Sequence, residues 1–378
     1  MGRARTAGRL RISHVVGTGN FAGLERYVVE VSNALAARGH DVQVVGGGRE
    51  RMQELLSGEV TWSGGATPRE ALRSLASAGR RDIVHSHISK ADYVALAAAP
   101  LTGGRRVSTR HIVDRRGYGR WARWAAPLVR RGLAGEIAIS RWLADRVETR
   151  PDIVIVNGVR SVPDHEEPRE QTVVIAQRLA PEKDTAVGLQ AWALSGLADD
   201  GWSMVVAGEG TERAALESKV VELGVSSSVE LVGWVADVDP VFARAGILLA
   251  PAPTEPFGLT VLEAMAHGLP VVATGSAGHL ETVGRCRGAR LFAPGDAHGA
   301  SVLLRDLAAD LPARAAYGEG LRQVQREQLD LDLHVDELEE YYRALSGPLQ
   351  PVTTSATSSP DRAPDDVDEV EATCRSPR

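Results

Sequence analysis

The sequence predicts an α/β protein made of two doubly wound parallel sheets that face each other. Three observations lead there. Short apolar runs alternate with helical stretches, the signature of buried parallel strands. The alternation halts at a polar, linker-like stretch around 163–171 and then restarts. The halves on either side carry opposite charge: residues 1–168 hold 26 Lys and Arg against 17 Asp and Glu, and residues 169–378 hold 17 against 32. A length of 378 residues suits two domains of roughly 100–200 residues each.

In chain order, Arg11–Val16 reads as the first strand, followed by a Gly-containing loop and an apolar-periodic helix from Leu24 to Arg38, with Gly39 as its stop. Strands are then expected at Val42–Val45, Asp82–His87, Arg106–Thr109, Glu136–Ile139 and Ile153–Val156. Beyond the linker they are expected at Val173–Ala176, Met204–Ala207, Val229–Val232, Ile247–Ala250 and Val271–Ala273. Asp332–Leu345 reads as a closing helix. The domains are therefore placed at 1–165 and 166–345, the closing helix included in the second. Residues 346–378 lack periodicity and are rich in Pro, Ser, Thr and Asp, so a disordered tail is expected.

Composition excludes several classes. Hydrophobic residues make up 43% and charged residues 24%, ordinary globular values. The longest apolar run, Tyr93 to Leu101, falls far short of the ~20 residues of a membrane helix. The basic N-terminus is followed by no secretory apolar core. Cys286 and Cys374 are the two cysteines, which offer neither a disulfide frame nor a thiolate zinc site. A cytoplasmic protein is expected, peripheral to the membrane at most.

Four constellations bear on chemistry. The loop Gly17-Thr18-Gly19-Asn20-Phe21-Ala22-Gly23 lies between strand and helix. It admits three readings: a dinucleotide loop, a turn with no ligand, or a loop facing a phosphate or an acceptor. Its spacing is one residue longer than the dinucleotide fingerprint, and Val44-Val45-Gly46 supplies no acid for a ribose. His85 and His87 share one face of a strand end, and His111 follows another. A metal pair, structural histidines and a cleft role are the alternatives. Arg178 and Lys183 sit in a strand-to-helix loop, where two cations can neutralise a diphosphate or simply be solvated. Finally, Glu255 and Glu263 stand eight residues apart around a turn and helix start at Gly258–Val261. Helical spacing would separate them by roughly 12 Å, more than the ~5–9.5 Å of paired glycosidase carboxylates. They suit two anchors on one extended ligand, with helix-start amides for an anion between them.

The segment Pro253–Thr274 resembles the E-x7-E signature of the retaining glycosyltransferases of family 4. Further stretches agree in order: Gly23–Arg26 with Arg38–Val42, Asp82–His87, Thr109–His111, Ala138–Ser140, Val156–Val159, Arg178 with Pro181–Lys183, and Gly208–Gly210 with Arg213. The resemblance runs from about residue 10 to 345. It implies the GT-B fold, two Rossmann-like domains with a cleft between them, and an enzyme moving sugar from a nucleotide donor, UDP-linked rather than GDP-mannose, to a hydroxyl acceptor. Acceptors in cell-envelope glycan, glycolipid or specialised metabolite synthesis are implied. An epimerase of the same fold and a non-catalytic nucleotide-sugar-binding module are the alternatives.

By the same resemblance Glu255 holds sugar hydroxyls and Glu263 the nucleotide ribose. Arg178 and Lys183 stabilise the departing diphosphate with amides near Gly258, Leu259 and Thr260. His111 reaches the sugar from the first domain, and Gly23 lines the cleft. Two departures stand out: Ala22-Gly23 replaces a pair of glycines, and Ala277-Gly278-His279-Leu280-Glu281 replaces Gly-Gly-x-Pro-Glu. Asp237-Val238-Asp239 imitates a metal-binding D-x-D but falls at an expected helix start, so no metal or other cofactor is expected. Arg105–Arg131 carries nine arginines, one acid, Tyr118, Trp121 and Trp124. An anionic or lipid-linked acceptor, a membrane surface or a solvated helix with inward tryptophans would each account for it. Nucleic acid is not an expected partner.

Overall fold

The computed structural model describes residues 8–116, 122–163 and 168–346. The first unit is a seven-stranded sheet. Its strands are β1 (Arg11–Val15), β2 (Asp41–Val45), β3 (Thr61–Ser63), β4 (Ile83–Ser86), β5 (Arg105–Arg110), β6 (Gly135–Ala138) and β7 (Ile153–Val154), in spatial order β3-β2-β1-β4-β5-β6-β7. The second is a six-stranded sheet of β8 (Thr172–Ala176), β9 (Ser203–Ala207), β10 (Val229–Gly233), β11 (Ile247–Ala250), β12 (Val271–Thr274) and β13 (Arg290–Phe292), ordered β10-β9-β8-β11-β12-β13. Every pairing within the two sheets is parallel. Helices cover both sheets, and β4, β6, β11 and β12 are buried along their whole length, as expected of parallel strands covered on both faces.

The strand order reverses beside β1 in the first sheet and beside β8 in the second. Such switch points place ligands at the carboxyl ends of the flanking strands. In this chain those ends lead into the Gly17–Gly23 loop and His85–His87, and into Gln177–Lys183 and Pro251–Glu255.

Each unit borrows a piece of the other half of the chain. The closing helix is Leu331–Ser346. Its buried stripe Leu331, Val335, Leu338 and Tyr342 lies in one core with Ile12, Tyr27, Val28 and Leu35. The helix assigned from sequence to the second domain thus completes the first, and Arg38 adds pairs to Asp332 and Asp336. Conversely, Ile139 and Leu143 belong to the second core. Two strands escape the sequence reading, β3 and β13, each only three residues long. Of the expected tail 346–378, Ser346 ends the closing helix and the rest lies outside the described residues. Among those described, no helix is long and apolar enough to cross a membrane.

Candidate active site

Three adjoining cavities of about 640, 320 and 210 Å³ lie between the sheets and share Gly23 and Thr260 among their walls. The 320 Å³ cavity gathers His111, Arg178, Lys183, Glu255, Gly258 and Leu259 as well. Glu263 lines the 210 Å³ cavity beside Arg26. All nine residues singled out in the sequence therefore meet in one interdomain cleft.

The second unit supplies charge. After β8 the chain turns through Pro181–Lys183, held by Gln177, whose amide donates to the Lys183 carbonyl and the Thr185 hydroxyl at 2.9 Å each. Lys183 hydrogen-bonds Glu255 across 72 residues of chain. Burial pushes the Glu255 carboxyl up, but Lys183 and then His279 outweigh it and hold the group below the ordinary carboxylate range. Arg178 is largely exposed and pairs with Glu182. Gly258, at φ 91°, caps the helix Leu259–Ala266 in the left-handed conformation, which only glycine adopts without penalty. The helix therefore starts at the cleft and turns its first amides toward it. Glu263 lies on that helix, 3.3 Å from Arg26 Nε of the first unit. Burial raises its pKa to about 7 against the opposing effect of Arg26.

Besides Arg26, the first unit supplies a file of neutral histidines. His111 Nε2 stands 3.2 Å from His87 Nδ1, and His87 Nε2 stands 2.8 Å from His14 Nδ1, a file running inward from the cleft. Burial lowers the pKa of His111 and of His14 to about 3, with His334 a second cause for His111. Ring nitrogens of His14, His85 and His87 lie within 4.8 Å of one another. His85, however, engages both nitrogens, with Tyr342 Oη at 2.5 Å and Thr109 Oγ1 at 2.7 Å. This trio is a hydrogen-bonded core and does not fit an ion.

The glycine loop owes its shape to Glu25. This buried carboxylate accepts from the Thr18 hydroxyl at 2.6 Å and from the Ala22 amide at 2.9 Å. The loop is therefore both a tied turn and a cleft wall, presenting Ala22 and Gly23. Asp237 accepts the Asp239 amide at 3.1 Å and Asp239 meets His267 at 3.0 Å, at the start of the helix Asp239–Arg244.

Three further residues line the cleft without a role assigned from sequence, although Asn157 and His279 lie in stretches quoted above. Asn157 is buried in the cavity wall with neither amide atom hydrogen-bonded. His279 lines the same cavity, bonded to Thr274 Oγ1 at 2.9 Å. Exposed Trp234 follows β10 into the 640 Å³ cavity. The exits of β7 and β10 are the signals that could have found Asn157 and Trp234. In the altered turn, Ala277 takes a φ of 51°. A β-carbon on Gly278 would fall 2.4 Å from Phe257 Cα, so that glycine is obligatory. Glu281 reaches the first unit, accepting the Arg141 and Trp142 amides at 2.9 and 2.8 Å.

The basic segment divides. Arg110 and Arg116 are buried in pairs with Asp114, Asp92 and Glu136. They are structural, whereas Trp124 is 73% exposed. Tyr118 and Trp121 lie outside the described residues.

The chain matches the model of glycosyl transferases group 1 over residues 170–310 and that of Glycosyltransferase Family 4 over 21–161. An exopolysaccharide phosphotransferase from Streptomyces coelicolor is 31% identical over 154 residues, covering 39% of this chain and 16% of that protein. A 2-deoxystreptamine glucosyltransferase from Streptomyces kanamyceticus is 32% identical over 177 residues, covering 43% and 44%. The matched part thus spans less than half the length of either relative. Among solved structures, Anabaena HepE in complex with UDP and glucose superposes with a TM-score of 0.75 at 18% identity, covering 89% of this chain and all of that one. That likeness shows a common two-domain fold. With the family models matching most of each unit, the chain belongs to the group 1, family 4 glycosyltransferases.

Proposed function

We propose that the protein is a retaining glycosyltransferase that moves a sugar from a nucleoside diphosphate donor, UDP-linked, to a hydroxyl of an envelope glycan, glycolipid or specialised metabolite. One observation carries this reading: Arg178, Lys183, Glu255 and His111 line one cavity walled by both units. Glycosyl transfer builds positive charge on the sugar ring and negative charge on the departing diphosphate. Prearranged cations at the leaving group are the largest lever on such a step. We assign that role to Lys183 and Arg178, with the amides of Gly258, Leu259 and Thr260, all of which line this cavity. Glu255 stays ionised to accept sugar hydroxyls, and Glu263 accepts from the ribose. His111, neutral at physiological pH, hydrogen-bonds the sugar without adding charge near the developing cation. Gly23 leaves the cleft wall open to the donor.

The UDP preference draws support from the HepE structure, which holds UDP. Metal independence follows from giving the leaving group to Arg178 and Lys183.

The test is a thermal-shift panel of UDP-, GDP- and ADP-sugars, since a ligand of the folded state raises its melting point. Turnover in excess EDTA and NMR of the product anomer then follow. UDP-sugars should shift melting most, the product should keep the donor's anomeric configuration, and EDTA should change nothing. Inverted product, or activity restored only by magnesium, would overturn the corresponding part.

A further inference from the structure

A second cavity, of about 450 Å³, opens on the first unit away from the donor residues. Its walls come from the start of the helix Pro68–Ser77, from one face of the helix Ser89–Ala97 along its length, and from Asp114 and Arg115 after β5. Both helices follow strands of the first sheet, so their N-termini rise from its carboxyl edge, the edge that faces the cleft. Arg115 is four residues from His111, which limits their separation to about 14 Å. The wall is firmly held: Arg116 Nε donates to buried Asp92 at 2.6 Å, and Asp92 accepts from Ser86 at 2.5 Å.

The lining is two-sided. Leu72, Tyr93, Val94 and Ala97 give an apolar floor. Arg69, Lys90 and Arg115 stand at the cavity exposed and in no ion pair among the described residues. Asp114, the acid in the wall, is turned to Arg110 at 2.7 Å. Ser89 adds a hydroxyl that is buried and has no hydrogen-bond partner. Three cations, two helix N-termini and a spare hydroxyl offer more donors than one carboxylate can use. They match the charge and terminal oxygens of a phosphate. Ile112 and Val113, 53% and 49% exposed, lie on the loop just before Arg115 and extend the apolar surface.

We propose that this cavity is an acceptor subsite for a phosphate ester of an apolar alcohol. The phosphoryl group seats against Lys90, Arg115, Arg69 and Ser89, and the apolar chain lies on Leu72, Tyr93 and Val94. The word acceptor rests on the transferase reading above; the binding does not.

Isothermal titration of the full chain with octyl phosphate below its micellar concentration, with octanol and with inorganic phosphate tests the site. Octyl phosphate should bind at least tenfold more tightly than either. Lys90→Glu and Arg115→Glu should each weaken it about tenfold, and Leu72→Asp similarly, while UDP binding stays within twofold of wild type as a check on folding. Equal affinity for inorganic phosphate or for octanol, indifference to all three substitutions, or no binding of octyl phosphate would overturn the proposal. Intact octyl phosphate binding in a protein that turns over no nucleotide sugar would uphold the cavity and sink the transferase reading instead.

Discussion

The two sheet edges that meet at the cleft have the same parallel geometry but bring different side chains to it. The first unit's edge carries His14, His85, His87 and His111, all driven neutral by burial. The second unit's edge carries Lys183 on Glu255, with Arg178 nearby and exposed. Net charge does not report this difference: the half with the excess of Lys and Arg places buried neutral histidines at the cleft, with Arg26 beside them and Arg69, Lys90 and Arg115 farther along the same edge. Charge at a site is thus set by what buries and pairs each side chain, and composition of the half reports mainly its outer surface.

The strongest way to break the comparison is to remove charge from the second edge. Arg178→Ala and Lys183→Ala should each lower kcat by on the order of 10²–10³, read in steady-state kinetics beside an unchanged circular dichroism spectrum. Near wild-type turnover in either would remove that residue from the leaving-group role. The neutral edge is tested by titration. With a pKa of about 3, His111 should show no imidazole chemical-shift change between pH 5 and 8, and an inflection near 6.5 would restore it as a charged group.

Glu263 lies between the two regimes, and its effect is on stability. A folded pKa of about 7 lies above the unfolded value of 4.5. Its contribution is therefore fully present below pH 4.5 and is lost as pH rises through 7. Glu263→Gln should flatten that part of the melting-temperature profile, with the gain over wild type growing between about pH 4.5 and 7 and levelling off above. An unchanged profile would mean that Arg26 keeps the carboxylate ionised throughout. The smallest effect is expected at Ala277. Its left-handed backbone suits glycine, so Ala277→Gly should stabilise the fold by roughly 1 kcal/mol in denaturant titration. A loss of stability would show that the methyl group's burial outweighs the strain.

Much of this was legible in the sequence. Strands such as β8 and β11 are short, mainly apolar runs, and the residues at their carboxyl ends form the cleft. What failed to read had physical reasons. Three residues of Thr-Trp-Ser or Arg-Leu-Phe carry too little periodicity to mark β3 and β13. The apolar stripe of the last helix shows that it packs, but the stripe is equally suited to either core. Trp234 carries no motif of its own, and Asn157 lies in a family-like stretch that assigns it no role; only the folded strand exits bring them to the cavities. Arg110 and Arg116 read as surface charge because nothing local to them announces Asp92, Glu136 and Glu148.

The exchange of segments between the units has a consequence for biosynthesis. The residues that seal the first core, Leu331 to Tyr342, leave the ribosome after the whole second sheet has been made. Tyr27, Val28 and Leu35 must wait through that interval without their final cover. The unit that is translated first is thus the last to be closed, and a nascent chain arrested at the linker would hold an unfinished domain.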